Sequence, residues 1–271
     1  DTDFSHSMFD TVRGAGEYVR PNTTAAEQSD STTIQSFNSD GFSVGNAGGG
    51  IGNSGDDYIV WGWKAGNSWE SNVDGSIQTL VNANTASGFS IIKYNMNLTS
   101  GTFTLGHGLS SAPQLIFFFA LEQSGSTSNI VYPNIKEKEM VLDNTGAASD
   151  SNPNYWNDTA PTSTLITMGS AWTQYHSYYG GETIAYAFHS VSGFCDIDTY
   201  SGNGSTQSIT GVGFRPDFVI IKETSAAESW RMFDSWRGAT KRLFPNTDGV
   251  ESTASDSLTS FDSDGFSLGS S

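Results

Sequence analysis

The sequence predicts an all-β protein built as tandem antiparallel β-sandwich repeats. Three observations carry that reading. Long motifs recur at a fixed spacing, short apolar runs alternate between turn-forming residues, and no window shows a useful 3.6-residue apolar stripe.

The recurrence is exact at one offset. Met8-Phe9-Asp10 with Arg13-Gly14-Ala15 returns as Met232-Phe233-Asp234 with Arg237-Gly238-Ala239. Pro21-Asn22-Thr23 returns as Pro245-Asn246-Thr247, and Ser39-Asp40-Gly41-Phe42-Ser43 as Ser263-Asp264-Gly265-Phe266-Ser267. Each pair is 224 residues apart, and residues 1–47 and 225–271 share 20 identities in 47 without a gap. A looser copy lies between them. Ser87-Gly88-Phe89 matches Ser192-Gly193-Phe194, and Pro113-Gln114-Leu115-Ile116 matches Pro216-Asp217-Phe218-Val219. The closing strand of a copy is read twice, as Asp57–Trp63 and as Glu182–Phe188. The expected organisation is therefore residues 1–66 as the back of one copy, 67–86 as a connector, 87–191 as a complete copy, and 192–271 as a third copy without its last strand. The chain is expected to be cut at both ends from something longer, with missing strands supplied by the same polypeptide or by neighbouring chains.

Within 87–191 the strands follow from alternation. Phe89 to Tyr94 opens the copy and Thr102 to Leu105 follows. Gln114 to Leu121 is almost continuously apolar, which predicts a central strand covered on both faces. Asn129–Tyr132, Met140–Leu142 and Leu165–Met168 are shorter. Thr183 to Phe188 sets Ile184, Tyr186 and Phe188 on one face and Ala185 and Ala187 on the other. Seven strands in about a hundred residues is the count of a β-sandwich.

Composition agrees. Glycine (30), Ser, Thr, Asn and Asp supply turns, and aromatics at 13% supply a core that a disordered acidic chain would lack. A net charge of −17 disfavours nucleic acid and anionic membranes as partners. The longest apolar run, Leu115 to Leu121, is too short for membrane insertion by a helix. The single cysteine, Cys195, reads as a small buried residue.

No catalytic constellation stands out, and the chain is read as a non-enzyme without cofactor or metal. One Cys and four scattered His give no zinc pattern. His107 reads as a turn residue. Glu137 and Glu139 in Lys-Glu-Lys-Glu read as a solvated edge strand. The Asp-Gly pairs at 40–41 and 264–265 read as hairpin turns rather than calcium loops. Asp10/Arg13 and Asp234/Arg237 are either sugar clamps or ion pairs fixing a strand end, the second being favoured. The most suggestive segment for a ligand is the loop 171–181, with Trp172, Tyr175, His176, Tyr178 and Tyr179. Tyr155 and Trp156 form a second, weaker candidate. Aromatic faces with polar rims suit sugar rings or protein partners; the competing reading is packing against a neighbouring copy.

The segments 213–222, 232–239, 263–269 and 154–163 together resemble a tandem domain of unknown function found in marine bacteriophage structural proteins. The resemblance implies a jelly-roll or concanavalin-A-like, tail-fibre-like fold and a virion location, and it transfers no binding or catalytic residue. The expected function is thus a structural or receptor-binding virion protein, a tail or head fibre, homo-oligomeric as a trimer or fibre, and contacting a host-surface glycan or receptor. The alternative is a subunit of an extracellular filament or adhesin of a bacterium or archaeon.

Overall fold

The computed structural model describes residues 4–45, 50–96, 101–122, 128–150, 153–173, 175 and 181–270. The chain is all-β, with several antiparallel sheets. Short strands β1 (Met8–Phe9), β2 (Glu17–Val19) and β3 (Gln28–Ser29) form one sheet, and β4 (Ile34–Asn38) and β5 (Gly41–Val44) form a hairpin. The middle of the chain carries β6 (Glu70–Asn72), β7 (Thr79–Asn84), β8 (Phe89–Asn95), β9 (Phe103–Gly106), β10 (Leu115–Ala120), β11 (Ile130–Tyr132), β12 (Met140–Val141), β13 (Leu165–Met168) and β14 (Glu182–Phe188). The last part carries β15 (Gln207–Thr210), β16 (Phe218–Ile221), β17 (Arg231–Asp234), β18 (Lys241–Arg242), β19 (Ser252–Thr253), β20 (Leu258–Asp262) and β21 (Gly265–Leu268). Described helix is limited to a 3-10 turn at Pro153–Tyr155 and a turn at residues 171–173 and 175.

The centre is a seven-stranded sheet in the order β12-β11-β10-β14-β8-β7-β6. It separates two apolar cores, and side-chain alternation assigns residues to each. Ile116, Phe118, Ala185, Ala187, Ile92 and Tyr94 face the first core, which the β9–β13 ladder completes with Phe103, Leu105, Ile166 and Met168. Phe117, Phe119, Ile184, Tyr186, Phe89 and Ile91 face the second, where Val19 and Trp230 join from the flanking repeats. This is why β10 is apolar at nearly every position. The small residues of β14 lie toward the core that holds Phe118, Trp156 and Trp172.

Residues 67–86, expected as a connector, instead supply β6 and β7. In β7 the pattern Thr79, Val81, Ala83 alternates, but buried Thr79 and Asn82 disguise the strand as polar sequence. Thr79 is satisfied by donating its hydroxyl to the Gly106 carbonyl at 2.9 Å. The segment 57–63, expected to be a strand with Ile59, Trp61 and Trp63 buried, joins no ladder among the described residues; Trp63 is exposed, and Ile59 and Trp61 are half-buried.

The repeat spacing is visible in the registers. Met8 pairs with Val19 and Met232 bridges Leu243, while Glu17↔Ser29 recurs as Lys241↔Thr253. The β4–β5 and β20–β21 hairpins carry the same bulge, between Ile34/Ser36 and Leu258/Ser260. Both Asp-Gly segments are hairpin turns, with Asn38↔Gly41 and Asp262↔Gly265 closing them. Gly265 has φ +142°, and a Cβ there would overlap the Ile209 carbonyl.

Candidate functional site

The aromatic candidates converge, and they converge inward. After β13 the chain turns at Gly169, whose N–H donates to the Tyr155 carbonyl at 2.7 Å. A Cβ at Gly169 would overlap the Asn154 carbonyl. That close approach sets the 153–158 turn against the turn that begins at 171 and brings Trp156 and Trp172 together. Trp172 lies 4.9 Å from Phe118 and 5.8 Å from Trp156, and Tyr132 meets Trp156 edge-on at 5.2 Å. Trp156 is buried and donates its indole N–H to the Lys138 carbonyl at 2.8 Å. Tyr175, 5.0 Å from Trp172, is buried and donates its hydroxyl to the Ser128 carbonyl at 2.8 Å. Trp172 is 0% exposed.

Trp156, Trp172 and Tyr175 are therefore core residues here, with their rings spent on packing over β10 rather than offered to a ligand. Tyr155 is half-buried and meets Trp172 edge-on at 5.4 Å. It is the described member of the set that reaches toward the surface. His176, Tyr178 and Tyr179 lie outside the described residues.

The repeated Asp–Arg motif forms the most organised polar centre. Asp10 caps the turn after β1 by accepting from the N–H groups of Val12 and Arg13, each at 2.9 Å. Its other oxygen accepts from Arg13 Nε at 2.6 Å and from the Tyr186 hydroxyl at 2.7 Å. Arg13 Nη2 donates to the Met8 carbonyl at 2.9 Å and to the Tyr186 oxygen at 3.0 Å, and Nη1 reaches Glu27 at 3.3 Å. The Arg13 and Asp10 side chains are 1% and 2% exposed. Burial opposes the Arg13 charge, but Tyr186 and Asp10 overcome it and hold its pKa above the ordinary value. Burial, reinforced by Asp10, pushes the Tyr186 phenol well up. Glu27 is raised by burial despite the pull of Arg13. A group this enclosed is a clasp between the first repeat and the central sheet, not an open sugar clamp.

The second occurrence has the same skeleton and a different lid. Arg237 Nε meets Asp234 at 2.6 Å and Nη1 meets Glu251 at 3.3 Å. In place of a tyrosine hydroxyl, the guanidinium stacks 5.5 Å from the ring centroid of Trp61. Trp61 and Tyr186 hold corresponding positions in the two closing-strand sequences, a signal available from the repeat alignment.

The remaining candidates are engaged in the fold. His107 is buried, takes the Leu109 N–H on Nδ1 at 3.1 Å and shares Nε2 with the Thr162 carbonyl at 3.1 Å, and burial lowers its pKa. Glu139 corrects the edge-strand reading: it is buried, its backbone pairs with Ser149, and burial raises its pKa, whereas Glu137 is exposed beside Lys136. Cys195 is half-buried, and burial with the Asp196 charge pushes its thiol up to about 11. Among the described residues no three or more His, Cys, Asp or Glu side chains gather as a metal-ligand set. No helix among them is long and apolar enough to cross a membrane.

No curated protein and no solved structure matches the chain. A family model described as a domain of unknown function, DUF7483, matches residues 1–237 and again 204–271. The second match includes the 225–271 copy of the segment that opens the first, in keeping with the spacing read from the sequence. On that coverage the chain belongs to the DUF7483 family.

Proposed function

We propose that this chain is a non-catalytic structural and receptor-binding protein of a phage virion, a tail- or head-fibre-like element. In this reading its repeats are jelly-roll or concanavalin-A-like sandwiches, and it presents host-binding surfaces along an oligomeric shaft. The observation that supports it most is the Asp10–Arg13–Tyr186 clasp. A buried, multiply bonded ion pair joining one repeat to the central sheet of the next stiffens a tandem array, which is what a shaft requires. The virion assignment draws on the motif resemblance. The non-catalytic reading is supported by the use of Asp10, Arg13, His107 and Glu139 in structural contacts.

Host contact in this reading falls on Tyr155, with Trp156 and Trp172 as the packed floor beside it. The test has two arms. Gold-labelled antibody against residues 1–271 should decorate intact virions at a fibre, and the purified chain should retain glycans on an array. Labelling of the cell envelope instead would favour the filament or adhesin. Hydrolysis of an arrayed glycan would overturn the non-catalytic reading.

A further inference from the structure

The three copies meet in a circle, and one side-chain donor closes each junction. Just ahead of β11, Asn129 of the complete copy gives its side-chain amide to the carbonyls of Arg20, Pro21 and Thr23 in the first copy, at 3.2, 3.2 and 3.0 Å. Just ahead of β17, Trp230 of the last copy donates its indole N–H to the Val141 carbonyl of the complete copy at 3.0 Å. Just ahead of β1, His6 of the first copy meets the Phe244 carbonyl of the last copy through Nε2 at 3.0 Å. A carbonyl only accepts, so Nε2 carries the proton. The acceptors Arg20, Val141 and Phe244 lie at or just beyond the ends of β2, β12 and β18, the matching strands of the three copies. His6 and Trp230 are 224 residues apart, and so are Arg20 and Phe244, so the repeat sets donor and acceptor at the same points each time.

The junction between the first and last copies differs from the other two. Among the described residues the His6 bond is the one hydrogen bond between 4–66 and 192–270. The other contacts there are apolar or between rings: Trp61 and Trp63 meet Phe218 at 5.3 and 5.5 Å, and Trp61 covers Arg237. Its donor is also the one that ionises near neutral pH; the side chains of Asn129 and Trp230 stay uncharged. Burial lowers the His6 pKa, the bond to the Phe244 carbonyl opposes that, Arg237 adds to it and Asp248 opposes it, and the lowering wins. Arg237 and Asp248, both from the last copy, are the charged side chains that act on the imidazole. A protonated His6 could still donate to Phe244, but it sets a second cation near Arg237, whose Nη2 is already buried without a hydrogen-bond partner.

We propose that this junction is an acid-released latch: with His6 neutral the circle of copies is closed, and with His6 protonated the first copy parts from the last at Phe244 while the Asn129 and Trp230 junctions hold. The sign follows from burial. Closure favours the neutral imidazole, so the junction is at full strength above the ordinary histidine value and weakens as pH falls below it toward the lowered one. Trp61 and Trp63 reach Phe218 across the same junction, so the 57–63 segment loosens from β16 with it. The latch goes beyond the fibre reading and holds whatever the chain binds, so it can fail without touching the virion or glycan tests.

Hydrogen exchange of the full chain, corrected for the intrinsic effect of pH, reads the three junctions separately. The matched turns each carry an amide that reports on them: the Thr247 N–H donates to the Phe244 carbonyl and the Thr23 N–H to the Arg20 carbonyl. Residues 4–8 and the Phe244 turn should lose protection about fivefold or more between about pH 8 and pH 5, while the Arg20 turn and residues 140–143 keep theirs. The midpoint should coincide with the titration of the His6 imidazole, followed by proton NMR. His6→Gln keeps an uncharged donor of similar reach and should stay closed throughout, whereas His6→Lys, charged throughout, should stay open. If His6→Gln proves open at every pH, the coincidence of midpoints in the unsubstituted chain decides. Each of the following overturns the proposal: protection of the Phe244 turn that does not change with pH, an equal loss at all three junctions, a midpoint apart from the His6 titration, an acid opening that persists in His6→Gln, or a His6→Lys junction that stays closed.

Discussion

Arg13→Ala tests whether the repeats are clasped by buried charge. The substitution leaves the Asp10 carboxylate enclosed with no opposing charge, its remaining donors being the turn N–H groups of residues 12 and 13 and the Tyr186 hydroxyl. Breaking a buried pair from one side costs about 3–5 kcal/mol. Arg237→Ala removes the same ion pair where the guanidinium is less enclosed and the lid is the Trp61 ring rather than a hydroxyl. The loss there is expected to be smaller, with the stack contributing roughly 0.5–2 kcal/mol. Tyr186→Phe keeps the packing and removes two bonds to charged partners, so a double-mutant cycle between Arg13 and Tyr186 should give a coupling of about 1–3 kcal/mol. Urea unfolding followed by tryptophan fluorescence provides each value. An Arg13→Ala loss under about 1 kcal/mol, or a coupling indistinguishable from zero, would refute the reasoning, because an exposed ion pair behaves that way.

Two further substitutions separate packing from binding and locate a buried charge. Trp172→Ala removes a fully enclosed ring and should cost about 3–5 kcal/mol, while Tyr155→Ala, at the rim, should cost much less; equal small losses in the melting curve would return Trp172 to the surface. Glu139 has a folded-state pKa raised by burial, so folding favours its protonated form; that contribution is complete below the ordinary value and is lost as pH rises through the raised one. Glu139→Gln should therefore be more stable than the parent at pH 7, with the difference shrinking as pH falls through the raised value, as read by urea midpoints across pH.

The fold was legible wherever side-chain pattern and burial coincide. Continuous apolarity marked β10 because both its faces are covered, and the large–small alternation of Thr183–Phe188 marked the two sides of β14. The 224-residue spacing reappears as matched registers because the shared Ser-Asp-Gly-Phe-Ser sequence gives both hairpins the same turn and the same pairing. What stayed hidden was long-range. β7 buries Thr79 and Asn82, so its composition resembles a connector although its neighbours are strands on both sides. The segment 57–63 has strand pattern without a strand partner among the described residues, since pattern specifies a face and not a neighbour. Trp172 and Tyr175 lie between strands, where sequence alone suggests exposure. Only the close contact at Gly169, which admits no side chain, turns that segment inward. The clasp was half visible: the Asp–Arg spacing recurs in the sequence, but its partner Tyr186 lies 173 residues from Arg13.

Native-state hydrogen exchange tests the clasped-repeat account most directly. If the first repeat is locked to the central sheet, the amides of Tyr18 and Val19 in β2 open with the same free energy as those of β10 and β14, and Arg13→Ala lowers the β2 values selectively. Exchange of β2 through an opening more than about 2 kcal/mol easier than that of β14, unchanged by Arg13→Ala, would contradict it.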